Sequence, residues 1–288
     1  MHAHIRRRNA FTLLELLVVV SLIVLVMALL LPAMTRVRNV AREVNSMSSV
    51  RQMLTGYRLY QLDHGGRVMF GYPPVSVDGV QTRARSASGH EFGFPVASRY
   101  PWRLAPYVAE VWEVIHTHVP EPQSPEPGDS DSEAHGKAYS LSIGPTYGLN
   151  STYLGGHAGP SKGFVPQGTT DTPNDDAHVV FRASEVNRPS QLIVFTDAQQ
   201  ALAGWLFEGT GWFQATPPRA AGVKWESNGD HGFTLYGYQN AGIPKGRYSD
   251  KAVTGYFDGH VFAQTPEELD DMRLWANWAD EWDYDFVQ

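Results

Sequence analysis

The feature that most constrains this chain is a long apolar run near its amino terminus. From Phe11 to Met34 the sequence reads FTLLELLVVVSLIVLVMALLLPAM, and only Glu15, two hydroxyl residues and Pro32 interrupt the apolar side chains. At a rise of about 1.5 Å per residue, a helix of this length crosses the hydrocarbon core of a bilayer. We therefore expect residues 11–34 to form a membrane-spanning helix.

Charge on either side of the run indicates its orientation. Arg6, Arg7 and Arg8 precede it, and no equally tight basic cluster follows directly. Basic flanks stay in the cytoplasm, so we expect a single-pass protein of the inner membrane whose amino terminus is cytoplasmic and whose body is periplasmic or extracellular. A cleaved secretory signal peptide is disfavoured because the run is long and lacks a clean small-x-small cleavage site. An uncleaved signal anchor remains an alternative.

Helical periodicity continues beyond Pro32 as an amphipathic pattern over residues 35–64. Apolar residues recur there at spacings of three and four, and basic residues fill the other faces. The apolar positions are Val37, Val40, Val44, Met47, Val50, Leu54 and Tyr57. Gly65 and Gly66 suit a helix end. The pattern predicts one helix from about residue 9 to 63, loosened or kinked at Pro32, whose second half lies on a globular body.

The composition of the whole chain indicates what kind of body residues 65–288 form. The chain has 23 basic and 30 acidic residues and a net charge of −7, which argues against a nucleic-acid-binding protein. It has no cysteine, which excludes disulfides, thiol catalysis and cysteine-based zinc sites. Its 27 glycines and 19 prolines favour short strands and turns. We expect an α+β fold in which the long helix packs on an antiparallel sheet with loop insertions.

Local patterns within the body predict its main elements. The apolar residues of 100–115 have the spacing of a helix. The Pro- and acid-rich residues 116–137 predict a flexible surface loop, and the mostly apolar residues 191–198 predict a buried strand. Residues 251–265 predict a hairpin with a type I′ turn at Asp258-Gly259. Thr265-Pro266, followed by two glutamates, predicts the start of a carboxy-terminal helix.

The stretch AFTLLE, residues 10–15, resembles the processing signature of type IV prepilins and type II secretion pseudopilins. The resemblance implies that a prepilin peptidase cleaves between Ala10 and Phe11 and methylates the new amino terminus of Phe11. Pro32 then becomes the twenty-second mature residue, where such pilins commonly carry a helix-loosening proline. Ala10 replaces the glycine usual before the cut. A pilin-like fold, with other pilin or pseudopilin subunits as partners, is also implied.

Within that resemblance, Glu15 has a specific role. In pilin-like filaments the acid of one subunit is thought to face the charged amino terminus of a neighbouring subunit. Two charges in a low-dielectric bundle stabilise each other only when they are paired, so assembly is favoured over the isolated subunit. The alternative is a carboxylate that extends to the cytoplasmic interface from one turn inside the membrane.

The carboxy-terminal half resembles the H-X9-DG domain found in a large group of prepilin-like proteins. Tyr147-Gly148-Leu149-Asn150, the stretch from Arg188 to Ala198, and Phe257 followed by Asp258, Gly259, His260 and Val261 carry the resemblance. Ten residues before Asp258 the chain has Tyr248 instead of histidine. His231 is a candidate for the displaced equivalent.

Motifs for catalysis or cofactor binding are missing from the sequence, so we expect no enzyme and no bound cofactor. Histidines 90, 116, 118 and 231 lack partners at metal-ligand spacing. We interpret the carboxy-terminal acids as solvated side chains, and calcium binding is the alternative. They are Asp270, Asp271, Asp280, Glu281, Asp283 and Asp285. Trp275, Trp278 and Trp282 share a helical face that either packs on the sheet or forms a binding platform.

Two functions remain after these exclusions. The first is a structural subunit of a type II secretion or type IV pilus filament, processed by prepilin peptidase and assembled through its amino-terminal helix. The second is a membrane-anchored surface protein that never polymerises and binds a polysaccharide or a protein partner.

Overall fold

The computed structural model describes residues 13–73, 75–77, 79–109, 111–117, 123–156, 179–200, 211–220, 223–228, 232–235, 242–244 and 246–284. The chain divides into two compact units, Met1–Arg42 and Glu43–Gln288. The fold is mixed α+β, with a long amino-terminal helix and antiparallel sheets, and is consistent with a pilin-like fold. The predicted fold class is therefore confirmed.

Helix α1 runs from Leu13 to Asp63 and includes Pro32 without a break. It ends where Gly65 and Gly66 adopt φ values of 62° and 78°, a left-handed conformation that costs glycine little. The N–H of Gly66 donates to the carbonyl of Gln61 at 2.7 Å, which satisfies one of the last carbonyls of the helix. The double glycine therefore ends α1 where the sequence predicted.

The remaining elements are short. The helices are α2 (Tyr100–Leu104), α3 (Trp112–Ile115) and α4 (Asp131–Ile143). The strands are β1 (Ser76–Val77), β2 (Val80–Gln81), β3 (Ala84–Arg85), β4 (Glu91–Phe92), β5 (Tyr147–Leu149), β6 (Ile193–Gln200), β7 (Arg219–Ala220), β8 (Val223–Asn228), β9 (Gly232–Leu235), β10 (Gly242–Pro244), β11 (Ala252–Tyr256) and β12 (Val261–Gln264).

Strand β6 is the centre of the main sheet. It pairs antiparallel with β5, β10 and β11, and β11 pairs in turn with β12. Residues 192–198 are all buried, which agrees with the nearly continuous apolar sequence LIVFTDA. The two polar residues within 192–198 have buried partners, since the Thr196 hydroxyl hydrogen-bonds the Thr254 hydroxyl at 2.9 Å and Asp197 accepts from a backbone amide. Smaller antiparallel pairings join β1 to β2, β3 to β4, and β7 through β8 to β9.

The carboxy-terminal part of α1 packs on this sheet. Its buried side chains repeat at spacings of three and four, as an amphipathic helix requires. They are Ser46, Ser49, Val50, Met53, Leu54, Tyr57, Tyr60 and Gln61. A Cβ on Gly255 of β11 would lie 2.5 Å from Cγ1 of Val50 and 2.9 Å from Cδ1 of Leu54, so the helix approaches the strand only because that position is glycine.

Two predicted segments differ from the structure before β5. Residues 100–115 are not one helix, because Ala109 adopts a left-handed φ of 52° between the 3-10 turn after α2 and the start of α3. Residues 116–137 are not all loop, because α4 begins at Asp131. Ser130 caps α4 with Glu133 in a reciprocal capping box, which supplies the start signal that the Pro- and acid-rich composition obscured.

The hairpin of β11 and β12 is present, but its predicted turn type was wrong. Phe257, Asp258 and Gly259 form a three-residue loop in which the Gly259 amide donates to the Tyr256 carbonyl at 2.9 Å. Gly259 has a φ of 96°, and Asp258 is not in the left-handed region. A type I′ turn would need positive φ at both central positions, so this loop is the type I turn followed by a left-handed glycine.

The predicted carboxy-terminal helix was also wrong. Thr265 and Glu268 exchange the two hydrogen bonds of a capping box, but only one turn follows, and the next element is the 3-10 turn Met272–Leu274. Trp275 explains the interruption, because its indole donates to the Leu269 carbonyl at 2.8 Å and its own carbonyl accepts from Asn150 at 2.8 Å. These two hydrogen bonds of Trp275 therefore take the place of the backbone hydrogen bonds that a continued helix would form.

Candidate functional site

The first candidate site is the apolar segment of α1 from Leu13 to Met34. Its described side chains are solvent-exposed, and the exposed fraction of the large apolar ones ranges from 47% at Val19 and Ile23 to 87% at Leu13. The most apolar window of α1 has a mean hydropathy of 3.1, and α1 is the one helix in the described residues that is long and apolar enough to cross a membrane. This surface needs a lipid or protein environment to cover it.

Two polar features interrupt this segment. Glu15 is the one acid of this segment and lies two residues after Leu13, the first described residue of α1. Pro32 has no N–H to donate, and one turn later the Thr35 hydroxyl donates to the Leu31 carbonyl at 3.3 Å. The predicted leader arginines Arg6, Arg7 and Arg8, the predicted cut between Ala10 and Phe11, and the methylation position Phe11 lie outside the described residues.

The second candidate site is the turn that contains Asp258, Gly259 and His260. Asp258 Oδ1 accepts from the His260 backbone amide at 3.0 Å and lies 2.6 Å from His260 Nδ1. Partial burial raises the pKa of Asp258, but these two hydrogen bonds and the nearby charges outweigh it and hold the pKa below its usual value. The His260 ring stacks on Tyr256 with centroids 4.2 Å apart. Both groups that contact the Asp258 carboxylate belong to His260 of the same hairpin, so the structure of the turn accounts for them.

Backbone contacts fasten this turn to its surroundings. The Asp258 amide donates to the Pro189 carbonyl at 3.0 Å, and the Phe257 amide donates to the Leu192 carbonyl at 2.9 Å. The Arg58 guanidinium, on α1, donates to the Asp258 carbonyl. The turn thus joins the start of β6 to the long helix, which is a structural role.

The three stretches that carry the H-X9-DG resemblance meet in the structure. β5, with Tyr147 to Leu149, pairs with β6, and β6 pairs with β11, which leads into the Asp258 turn. Asn150 connects them further, because its amide donates to the carbonyls of Ile193 at 3.0 Å and Trp275 at 2.8 Å. Residues distant in sequence therefore form one contiguous core.

A buried polar cluster that sequence reasoning missed lies at the same place. Asp197, on β6, is fully buried, and its Oδ2 accepts from the Val253 amide at 2.7 Å. Its Oδ1 lies 3.4 Å from Nε of Arg247, whose Nη2 donates to the Ala198 carbonyl at 2.6 Å. Burial raises the pKa of Asp197 to about 7, and the Arg247 charge and the Val253 N–H oppose that rise. The signal in the sequence was an acid inside an otherwise apolar strand.

Tyrosine hydroxyls extend this cluster to α1. The Tyr147 hydroxyl hydrogen-bonds Ser46 Oγ at 2.6 Å and Thr117 Oγ1 at 3.2 Å. Burial and the Asp197 charge raise the pKa of Tyr248 to about 12, whereas hydrogen bonds with Ser46 and Thr117 act against the rise. Tyr248, at the position where the resemblance expects histidine, therefore takes part in a network that holds the helix to the sheet.

The histidines considered as metal ligands have other roles where they are described. His116 is buried, its Nε2 lies 3.0 Å from the Leu141 carbonyl, and burial lowers its pKa to about 4. His90 Nε2 lies 2.9 Å from the Glu126 carbonyl. His118 and His231 lie outside the described residues. Within the described part of the chain, no three His, Asp or Glu side chains are grouped to hold a metal ion.

The carboxy-terminal acids and tryptophans do not share one environment. Asp270 and Asp271 lie 3.4 Å and 2.6 Å from the guanidiniums of Arg219 and Arg273, whereas Asp280, Glu281 and Asp283 are exposed and Asp285 lies outside the described residues. Trp275 is buried, while Trp278 and Trp282 are 39% and 54% exposed. Core packing therefore accounts for the first tryptophan but not for the other two.

Comparison with known proteins identifies the amino-terminal segment. Residues 5–31 match the family described as the prokaryotic N-terminal methylation motif. The chain carries a prepilin-type processing motif. No curated protein and no solved structure matches the chain significantly.

The prepilin-type motif includes both residues of the predicted cut, Glu15 and most of the apolar segment of α1. It indicates a substrate of prepilin peptidase and a membrane-anchored chain, and it favours a structural subunit over an enzyme. The match ends at Leu31, so the H-X9-DG resemblance of the body stays a prediction.

Proposed function

We propose that this protein is a pilin-like structural subunit of a type II secretion or type IV pilus filament. Prepilin peptidase cleaves it between Ala10 and Phe11 and methylates Phe11. Residues 11–34 then hold the mature subunit in the inner membrane, with its body on the periplasmic side, until it enters a filament through its helix. The body, residues 65–288, forms the outside of that filament.

One observation carries the proposal. The prepilin-type motif at residues 5–31 coincides with a helical segment whose apolar side chains are exposed from Leu13 onward and whose first turn contains Glu15. An anchor alone needs the apolar side chains but not an acid within them, because an ionised side chain in hydrocarbon costs at least a few kcal/mol. Pairing with the amino terminus of a neighbouring subunit accounts for both features.

The test is the chemical state of the mature amino terminus. The full chain is expressed with an active prepilin peptidase, and the purified protein is analysed by mass spectrometry. We expect the product to begin at N-methylated Phe11. Ala10→Leu should retain the leader, because a branched side chain replaces the small residue at the cut, whereas Ala28→Leu, the same change inside the apolar segment, should be processed normally.

The outcome also separates the two candidate functions. An intact leader on the wild-type chain, in cells that process a known prepilin, would favour the non-polymerising surface protein. The feature that supports this second candidate is the exposure of Trp278 and Trp282, since exposed aromatic rings suit a polysaccharide or protein partner. Methylated Phe11 together with incorporation into filaments would exclude it.

A further inference from the structure

Three arginines follow the apolar segment of α1 directly. Arg36, Arg38 and Arg42 are all exposed, and none of them forms an ion pair with any described residue. Residues 1–42 have a net charge of +5, whereas residues 43–288 have a net charge of −12. After cleavage at Ala10, these three arginines are the only basic residues left in the amino-terminal unit.

The positions of the three arginines along the helix axis match the headgroup layer of a membrane. The described apolar segment, Leu13 to Met34, is about 33 Å long at 1.5 Å per residue, close to the roughly 30 Å of the hydrocarbon core. Arg36, Arg38 and Arg42 lie about 3, 6 and 12 Å beyond its end, and the headgroup layer on each side is about 5–7 Å thick. Helical side chains tilt toward the amino terminus, which brings the Arg42 guanidinium back toward that layer.

Their angular distribution favours lipid over a single protein face. At about 100° per residue, Arg38 and Arg42 share one side of α1, and Arg36 lies about 160° from Arg38. A protein partner would contact one side of the helix, whereas lipid headgroups surround it. Guanidinium groups bind phosphate oxygens in pairs of parallel hydrogen bonds, so the phosphate of an anionic headgroup is a suitable ligand for each of them.

We propose that Arg36, Arg38 and Arg42 form an arginine belt that binds anionic lipid phosphates at the periplasmic surface of the inner membrane. The belt fixes the depth of α1 in the bilayer. The proposal rests on the proposed function in that residues 11–34 must lie in the membrane. Because the body is strongly acidic, it is repelled by an anionic surface, and the belt supplies the attraction.

The test measures lipid preference of the full chain. Protein in detergent micelles containing equal amounts of phosphatidylglycerol and phosphatidylcholine is released by native mass spectrometry, and the lipids that remain bound are counted. We expect the wild type to retain phosphatidylglycerol preferentially. The triple variant Arg36→Gln, Arg38→Gln, Arg42→Gln should lower that preference at least about tenfold, since each basic residue near an anionic surface contributes about a fivefold factor.

Two further variants provide controls. Changing all three belt arginines to lysine keeps the charge and should retain most of the preference. Changing Arg51, Arg85 and Lys251 to glutamine removes three exposed charges elsewhere and should leave it unaltered. Circular dichroism of each variant checks that the fold is intact.

Two results would overturn the proposal. One is equal retention of the two lipids by the wild type, and the other is an unchanged preference in the glutamine belt variant. If that variant keeps its lipid preference but fails to join filaments, the belt contacts an acidic protein face instead. The lipid measurement does not need leader cleavage, so mass spectrometry of the amino terminus in the same sample distinguishes failure of the belt from failure of the proposed function.

Discussion

At the scale of single residues, Asp197 has an unusual environment for a carboxylate. It has no solvent exposure and is surrounded by a backbone amide, Arg247 and the two tyrosines Tyr147 and Tyr248. Taking a carboxylate out of water disfavours its charged form, which is why the pKa rises to about 7. A raised pKa means that the folded protein holds this proton more tightly than the unfolded chain does.

That difference predicts how stability changes with pH. Between about pH 4 and 7 the unfolded chain releases the Asp197 proton while the folded protein keeps it, so the free energy of unfolding falls as the pH rises. From pH 5 to 8 we expect Asp197 to account for a loss of about 3 kcal/mol. Urea unfolding of Asp197→Asn should show this part of the pH dependence removed.

The matched control for Asp197 is Asp250→Asn, at an exposed position on a turn. It removes one exposed carboxylate by the same substitution, so comparison with Asp197→Asn isolates the effect of the buried position. A wild-type slope that persists in Asp197→Asn would show that Asp197 and Arg247 remain an ion pair throughout this range.

The proposed role of Glu15 in filament assembly can be tested by a single substitution. Glu15→Ala should leave membrane insertion intact, because removing an acid makes the apolar segment easier to bury. Incorporation into filaments should fall at least about tenfold, because the amino terminus of a neighbouring subunit would lose its partner in a low-dielectric environment. Membrane fractionation and quantification of sheared filaments measure the two effects, with Ser21→Ala as the control. Normal incorporation of Glu15→Ala would contradict the pairing.

At the scale of elements, the contact between α1 and β11 determines how the helix lies on the sheet. Gly255→Ala introduces a Cβ at 2.5 Å from Val50 and 2.9 Å from Leu54, distances that packed atoms do not adopt. We expect a loss of about 1–3 kcal/mol in the free energy of unfolding, typical of an overpacked core. Gly93→Ala is the control, because a Cβ there meets no atom within 4 Å.

A double variant tests the mechanism of that loss. Val50→Ala removes the methyl group that the new Cβ would meet at 2.5 Å, so the combination with Gly255→Ala should cost less than the sum of the two single changes. Strictly additive losses would show that the damage arises in the β-strand itself and not in its contact with the helix.

Elements with strong local signals could be predicted from the sequence. The 3.6-residue periodicity and Gly65-Gly66 predicted where α1 ends, and Asp258-Gly259 located the last hairpin. Elements that depend on distant partners could not. Trp275 ends the predicted terminal helix by bonding Leu269 and Asn150, and Asp197 acquires its environment only when the segment around Arg247 covers it.

At the scale of the whole molecule, the apolar surface and the buried core occupy different parts of the chain. All core side chains among the described residues fall between Ser46 and Ala279. A chain that begins at Arg36 should therefore be soluble and monomeric without detergent, with a melting temperature close to that of the full chain. Size-exclusion chromatography and circular dichroism check this, and aggregation of the shortened chain would show that the body needs the apolar segment to fold.

Gly255 also has a consequence for comparing this chain with others. Its lack of a side chain is tied to the aliphatic residues Val50 and Leu54, about two hundred positions earlier in the sequence. In other proteins with this body, a larger residue at position 255 should coincide with smaller ones at 50 and 54. Such covariation would identify relatives through their globular part, even where the amino-terminal motif has been lost or replaced.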